Sequence, residues 1–521
     1  SMVFKTVLAL FAGYILYEVL RWFRLRQIMP PGPLGLPCIG NKSQVPSYKP
    51  WRKFEEWNRK YGPVSSILLG STPTIIIGKA QYAWELLEKR SETYSSRPRF
   101  IMASEILSEN RRALMLPNSS ELWKQWRKML HNGFHVRRVS VYHQIQSLES
   151  KVLLKQLLKD PNNFDGYLKR LRFAASIVVA ATYGRRVDSV DEWVVKENIA
   201  SMDCKGLCLP GKYLVESWPW LLKLPRSLQW FRALPERRKK QDEYFLLHLL
   251  NDVRTRSKNG TCPDCLTSQA LVDRDKGKMD MSDTHLAYAV SSPFGAGIDT
   301  TAGTISVFLV AMLNFPEVLR KAQEEIDRVV GSDRMPEFHD KDQLPYVLAL
   351  INETLRWRPI PILGGTAHAS TADDEFHGKF IPKGSTIYAN MYGIMRDEEL
   401  FPNPDLFLPE RFLPSSSTSS SQHPRINLRD FDLPFGFGRR ICPGMHLGLN
   451  SLFITISRVL WSFDLKPAKD GVLPDPNAFT NQFNSKPMPF ECKFVPRSGK
   501  VTALIEAEWE NIQSQLDNWH H

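Results

Sequence analysis

The stretch richest in chemistry spans residues 435–444, where Phe435, Gly438, Arg440 and Gly444 surround a single cysteine, Cys442. A helical pattern begins immediately afterwards, near Met445. Peptide N–H groups at a helix start stabilise a thiolate and lower its pKa, and glycines let a backbone approach a flat group closely. Cys442 is therefore a candidate anionic metal ligand, set against the common case of a buried structural cysteine. A second constellation, Ala296, Gly297, Asp299, Thr300 and Thr301, places a carboxyl beside hydroxyls in a largely apolar segment. A carboxyl and a hydroxyl can relay a proton, whereas a threonine within a helix often bonds back to its own backbone. Glu353 and Arg356 lie three residues apart on one helical face, with Arg411 available as a third charge. Taken alone, such a pair is a solvated surface contact worth a few tenths of a kcal/mol. Trp123 and Arg127, at i and i+4, read either as a core tryptophan with a surface cation or as a guanidinium placed to grip a carboxylate.

These groups must be held by long helices. Helical periodicity marks residues 51–61, 121–132, 139–159 and 316–330. Strands are short: 64–69 with 74–77, then 385–389, and a β-branched stretch at 500–505. The fold class is mainly α with small β-sheets (α+β). Ser282 and Asp283 are good N-cap types for a central apolar helix continuing through Thr304 to Leu313, which Pro293 is expected to bend. No fixed-period repeat is evident, and the serine-rich 415–421 stretch reads as a surface loop.

The 521 residues are 43% hydrophobic and 24% charged, enough for a large packed core. Lys and Arg total 68 against 55 for Asp and Glu, a net charge of +13 that favours acidic partners or anionic membrane surfaces. The basic residues are scattered and no zinc-finger or RNA-binding signature accompanies them, which argues against nucleic acid. Seven cysteines are too few for a disulfide scaffold and point to a reducing compartment. Cys262 and Cys265 form a lone C-x-x-C; a zinc site would need a second pair such as Cys204 and Cys208, so ordinary loop cysteines are the simpler reading.

Residues 3–20 are apolar except for Lys5 and Glu18, and Arg21, Arg24 and Arg26 follow. The run is near the lower length limit for spanning a bilayer, and its charged ends could snorkel. No small-residue cleavage site follows it, so an uncleaved membrane anchor is favoured over a signal peptide, with the basic flank on the cytoplasmic side. Prolines 30, 31, 33 and 37 then make a stiff connector. The expected organisation is anchor and basic flank at 1–26, proline-rich hinge and entry segment at 27–50, and one catalytic domain at 51–521.

The motifs together resemble the cytochrome P450 family. Its haem-binding signature, Phe-x-x-Gly-x-Arg-x-Cys-x-Gly, is matched at Phe435, Gly438, Arg440, Cys442 and Gly444. Its Glu-Arg-Arg triad is matched at Glu353, Arg356 and Arg411, and its Trp-x-x-x-Arg at Trp123 and Arg127. The resemblance implies the family fold around one buried haem b, with Cys442 as axial thiolate ligand of the iron. It also implies Arg127 and Arg440 on the haem propionates, with His368 where the family often places another propionate-binding residue. Small side chains at Ala296 and Gly297 would leave room for dioxygen, Thr300 would donate to it, and Asp299 would belong to the proton relay.

The activity implied is insertion of one oxygen atom from O2 into a lipophilic small molecule, by hydroxylation or epoxidation. Electrons would come from NADPH through a separate membrane-bound NADPH-cytochrome reductase docked on the basic side near Arg439, with cytochrome b5 as a further partner. The implied location is the endoplasmic reticulum membrane, single-pass, with the catalytic domain facing the cytoplasm. The finer likeness is to fungal microsomal enzymes of secondary metabolism or xenobiotic oxidation, and it places segments 100–116, 294–296, 360–365 and 482–485 against the substrate. A haem-thiolate isomerase or dehydratase would use Cys442 without O2 or reductase. A non-catalytic haem-binding protein would not need Thr300.

Overall fold

The computed structural model describes residues 2–161, 172–189, 191–203, 213–413, 431–469, 471–517 and 519. The serine-rich 415–421 stretch, Cys204 and Cys208 lie outside them. At the centre is the Ser292–Asn314 helix, with every side chain from Ala302 to Leu313 buried. A helix that is apolar all round belongs inside a core. The Arg172–Tyr183, Pro316–Val329, Pro345–Trp357 and Met445–Ser462 helices pack around it.

The expected continuous helix from Ser282 is instead two. Asp283–Val290, capped by Ser282 accepting from the His285 N–H, stops at Ser291, and a second helix starts at Ser292. Pro293 falls in the first turn of that second helix, where the N–H it lacks would have had no intrahelical partner. Proline thus starts a helix here instead of bending one. Trp126 Nε1 donates to Ser292 Oγ at 2.8 Å, fixing the new start against the Glu121–Phe134 helix.

The strands are β1 (Val64–Leu69), β2 (Thr72–Ile77), β3 (His368–Ala369), β4 (Asp374–Phe376), β5 (Lys379–Ile381), β6 (Thr386–Ala389), β7 (Phe463–Pro467) and β8 (Cys492–Pro496). One four-stranded sheet has the order β1-β2-β6-β3, with β6 parallel to β2 and antiparallel to β3. Two hairpins, β4-β5 and β7-β8, complete the set. The β-branched 500–505 stretch is not a strand: it begins the Gly499–Asp517 helix, which buries Val501, Ile505, Ile512 and Leu516 on one face. Lys151 with Glu508 at 2.6 Å, and Lys155 with Glu506, hold that helix to His143–Lys159.

The N-terminal stretch is helical over Met2–Ile28. Leu8, Leu10, Phe11, Leu16, Tyr17, Leu20 and Phe23 are exposed, while Trp22, Leu25 and Met29 are buried against the body. Glu18, expected at a snorkelling end, is itself buried and accepts from Ser71 Oγ at 3.0 Å; Arg21 donates to the Ser71 carbonyl at 2.8 Å. The last turns of this helix therefore dock on the β1-β2 turn. Among the described residues, the one stretch long and apolar enough to cross a membrane is Asp283–Asn314, which is mostly buried in the protein.

Candidate functional site

The Cys442 loop is folded by its own backbone. Leu433–Phe435 and Gly438–Arg440 each form a single 3-10 turn, and Cys442 N–H donates to the Phe435 carbonyl at 2.8 Å, closing the loop between them. Gly438 has φ +54°, and a Cβ there would lie 2.5 Å from the Leu87 carbonyl oxygen. The glycine is needed for a close approach to the protein's own backbone, not only to a flat ligand. Cys442 is accessible and lies just ahead of the Met445–Ser462 helix. Burial pushes its thiol up, while the Gly444 N–H and the positive charge of Arg127 pull it down without cancelling the rise. The lowering expected from a helix start is thus outweighed by desolvation, and a cationic ligand would be needed to hold the thiolate.

Beside this loop lies an unbalanced cluster of positive charge. Arg440, buried, donates to the carbonyls of Ser95, Leu114 and Leu116 and to Asn118 Oδ1, and stacks 4.3 Å from the Trp123 ring centroid. Arg97 donates to the carbonyls of Thr366, Ala367 and Leu114 at 2.6, 3.0 and 3.3 Å. Arg127 donates to the Ile441 carbonyl at 2.7 Å. Burial pushes Arg440 down to about 8, helped by the charges of Arg97 and Arg127, and pushes Arg97 down to about 9. A guanidinium stays protonated at neutral pH, so these shifts register buried positive charge bonded to carbonyl and amide oxygens instead of carboxylates. The Trp123 Nε1 and Asn118 Nδ2 donors are buried beside it with no hydrogen-bond partner.

His368 completes the cluster. Its Nδ1 is 2.9 Å from the Tyr94 carbonyl, so Nδ1 carries the proton; burial, then the charges of Arg97 and Arg440, push its pKa down to about 3. A neutral His368 presents an acceptor at Nε2, so the structure does not support the propionate-donor role expected for it in this state. Arg97 is the additional cation of this cluster. It escaped sequence reasoning because Ser95, Ser96, Arg97 and Pro98 carry no helical pattern, and because its carbonyl partners lie up to 270 residues away.

The Ser292–Asn314 helix leaves Ala296 exposed and Asp299 and Thr300 half-buried, so these three residues line whatever space it faces. Thr300 Oγ1 donates to the Ala296 carbonyl at 2.9 Å, so its proton is committed to the helix and its lone pairs are the groups on offer, contrary to the donor role expected. Gly297 does not line the space: a Cβ there would sit 2.8 Å from Val178, so its smallness serves helix packing. Phe294, expected near substrate, is fully buried against Tyr183 and Phe245.

A family model of cytochrome P450 matches residues 30–494. The chain belongs to the cytochrome P450 family. Its relatives include cytochrome P450 monooxygenase 58 of Postia placenta, 35% identical over 96% of this chain and 95% of that one. Monooxygenase verL of Clonostachys rogersoniana is 34% identical over 97% and 94%, and virE of Hypocrea virens is 35% identical over 94% and 89%. The protein is thus a P450 monooxygenase, an oxidoreductase with haem as cofactor.

The charge triad of this P450 lies in its core. Glu353 accepts from Arg356 Nε at 2.6 Å and Nη2 at 2.8 Å, from Leu408 N–H at 2.8 Å and from Arg411 Nε at 3.4 Å. Arg356 continues to the carbonyls of Met395, Pro404 and Leu406, and Arg411 to those of Pro402 and Asn403. The triad therefore pins the irregular 402–408 segment to the Pro345–Trp357 helix. Cys262 and Cys265 are free thiols, Cys265 capping the Leu266–Asp275 helix, and no group of His, Cys, Asp and Glu suited to a metal ion occurs among the described residues.

Proposed function

We propose that this P450 binds haem b with Cys442 as axial ligand and inserts one oxygen atom from O2 into a lipophilic small molecule. The observation that carries the proposal is the buried cluster of Arg97, Arg127 and Arg440 beside the Cys442 loop. Two carboxylates entering it would offset two of its three positive charges, and the Trp123 Nε1 and Asn118 Nδ2 donors stand ready for them. The bound haem supplies oxygen activation, with the thiolate pushing electron density toward O–O cleavage.

The chain's own residues orient the cofactor and exclude water. Arg127 and the Gly444 N–H favour the ionised form of Cys442. Thr300, whose hydroxyl rests as a donor to the Ala296 carbonyl, can relay a proton by turning from that carbonyl, giving up its own proton and taking a replacement, which Asp299 next to it can supply. Segment 101–107, packed under Val215, Leu221 and Phe231, gives the substrate side an apolar wall, which suits a lipophilic substrate. The exposed apolar face of the Met2–Ile28 helix suits contact with a membrane, here that of the endoplasmic reticulum. Arg439, exposed on the Cys442 loop, suits docking of an acidic NADPH-dependent reductase, with cytochrome b5 as an additional donor.

The test is reconstitution with reductase, NADPH and 18O2. Substrate-dependent NADPH oxidation with one 18O atom in the product is expected. Turnover that proceeds without NADPH or O2 would replace the proposal with an isomerase or dehydratase.

A further inference from the structure

Asp299 is gripped from outside its own helix. Lys486 Nζ lies 2.6 Å from Asp299 Oδ1, and Asn484 Nδ2 donates to Oδ2 at 3.0 Å. Both oxygens of the carboxylate are thereby engaged from one strap, residues 479–487, that precedes β8.

The strap is built to hold those two side chains in place. Thr480 N–H donates to the Lys486 carbonyl at 2.8 Å, Lys486 N–H to Thr480 Oγ1 at 3.1 Å, and Ser485 Oγ to the Thr480 carbonyl at 3.0 Å. Ser485 N–H donates to the Ile360 carbonyl at 2.9 Å, tying the strap to the segment after the Pro345–Trp357 helix. Gly303 lies one helical turn beyond Asp299 on the same face. A Cβ there would be 3.0 Å from Ile360 Cδ1 and in ordinary contact, at 3.6 Å, with Lys486 Cβ, so the glycine lets Ile360 pack closely and the lysine stem lies against this face of the helix as it reaches Asp299. The pair is neither surface nor sealed: side-chain exposure is 32% for Lys486 and 23% for Asp299. An ion pair in that setting contributes little to stability, which leaves placement of the carboxylate as the stronger reason for it.

We propose that Lys486 and Asn484 are positioning residues that hold the Asp299 carboxylate oriented beside Thr300, with Lys486 forming the solvent-side end of the proton entry. The inference rests on the reading of Asp299 and Thr300 as the proton path. It adds that the path is set by a strap that also touches the substrate side through Ile360. Replacing Lys486 by a neutral chain removes the contact at Oδ1 and leaves the carboxylate held from the strap by Asn484 at Oδ2 alone, so proton delivery loses its timing and reducing equivalents leak to peroxide or water.

The experiment compares wild type with Lys486→Met, Lys486→Arg, Asn484→Ala and Asp299→Asn in the haem-loaded protein, reading product formed per NADPH and the infrared C–O stretch of the ferrous carbon monoxide complex. Lys486→Met is expected to lower product per NADPH roughly tenfold, a share of the 10²–10⁴ that a positioned proton-transfer group contributes. It should also shift or broaden the C–O stretch as Asp299→Asn does. Lys486→Arg should restore both, and Asn484→Ala should show the smaller effect of losing a neutral donor. If Lys486→Met is as well coupled as wild type, with an unchanged C–O stretch, while Asp299→Asn is impaired, the positioning role is overturned and the proton-path reading stands. If Asp299→Asn is itself unimpaired, the proton-path reading fails and this inference with it. If Lys486→Met folds poorly, Lys486→Gln and the arginine rescue carry the comparison.

Discussion

Replacing Arg97 by methionine separates two roles that the structure assigns to one guanidinium. In the haem-free protein Arg97 is a fully buried cation held by three carbonyl oxygens, and burial alone drives its pKa down to about 9. Holding that cation without a carboxylate carries a burial penalty of several kcal/mol. Removing the guanidinium relieves that penalty and forfeits three charge-assisted hydrogen bonds of about 1.5–3 kcal/mol each, about 4.5–9 kcal/mol in all, so haem-free stability falls by at most a few kcal/mol. With a carboxylate in place, the same substitution breaks a buried ion pair, and a loss of about 3 kcal/mol is the lower end for such pairs. Haem affinity should therefore fall on the order of 10²-fold.

The assay is transfer of haem to excess apomyoglobin, paired with denaturant unfolding of the haem-free protein. If Arg97 merely ties down residues 366–367, both forms would be destabilised alike and haem release would be unchanged. That result would refute the charge argument.

Glu353→Gln leaves Arg356 and Arg411 without their carboxylate in a fully buried site, and should cost about 3–5 kcal/mol. At ~2.1 cal/mol/K per residue, unfolding entropy for a chain of this length is about 1.1 kcal/mol/K, so thermal unfolding should move down by about 4 °C. His368 is buried neutral with its pKa lowered from 6.5 to about 3. Below pH 6.5 the unfolded chain binds a proton that the folded one does not, so stability falls as pH drops from 6.5 toward 3. By pH 5 the loss from this group is ~2 kcal/mol in the haem-free protein. Urea unfolding at pH 7 and pH 5 should show that loss in wild type and a smaller one in His368→Gln.

The parts of the site confined to one stretch of chain were legible in the sequence. The Cys442 loop, the Glu353 and Arg356 pair and the Trp123 and Arg127 pair are local motifs, and each pair lies within one helix, although Glu353 and Arg356 are buried where spacing alone reads as a surface contact. Contacts that need the tertiary fold were not legible. Arg97 becomes significant only where β3 brings the 366–369 segment beside it, and Lys486 only where the 479–487 strap meets the central helix at Asp299. The 500–505 stretch misled because β-branched residues favour strands, while burial of Val501 and Ile505 on a helical face decided the outcome. Pro293 misled because its effect depends on whether a helix is already under way, and Ser291 had ended one. Thr300 was assigned as a donor because sequence gives a hydroxyl's identity but not its rotamer, which the Ala296 carbonyl sets.

The central claim is that Cys442 ligates haem iron as a thiolate. The most direct measurement is the absorbance difference of the dithionite-reduced protein with and without carbon monoxide, for wild type and Cys442→Ser. A strongly red-shifted Soret band in wild type, absent in the variant, is the expected result. A folded, haem-loaded wild type without that band, or a Cys442→Ser protein that keeps it, would contradict the account.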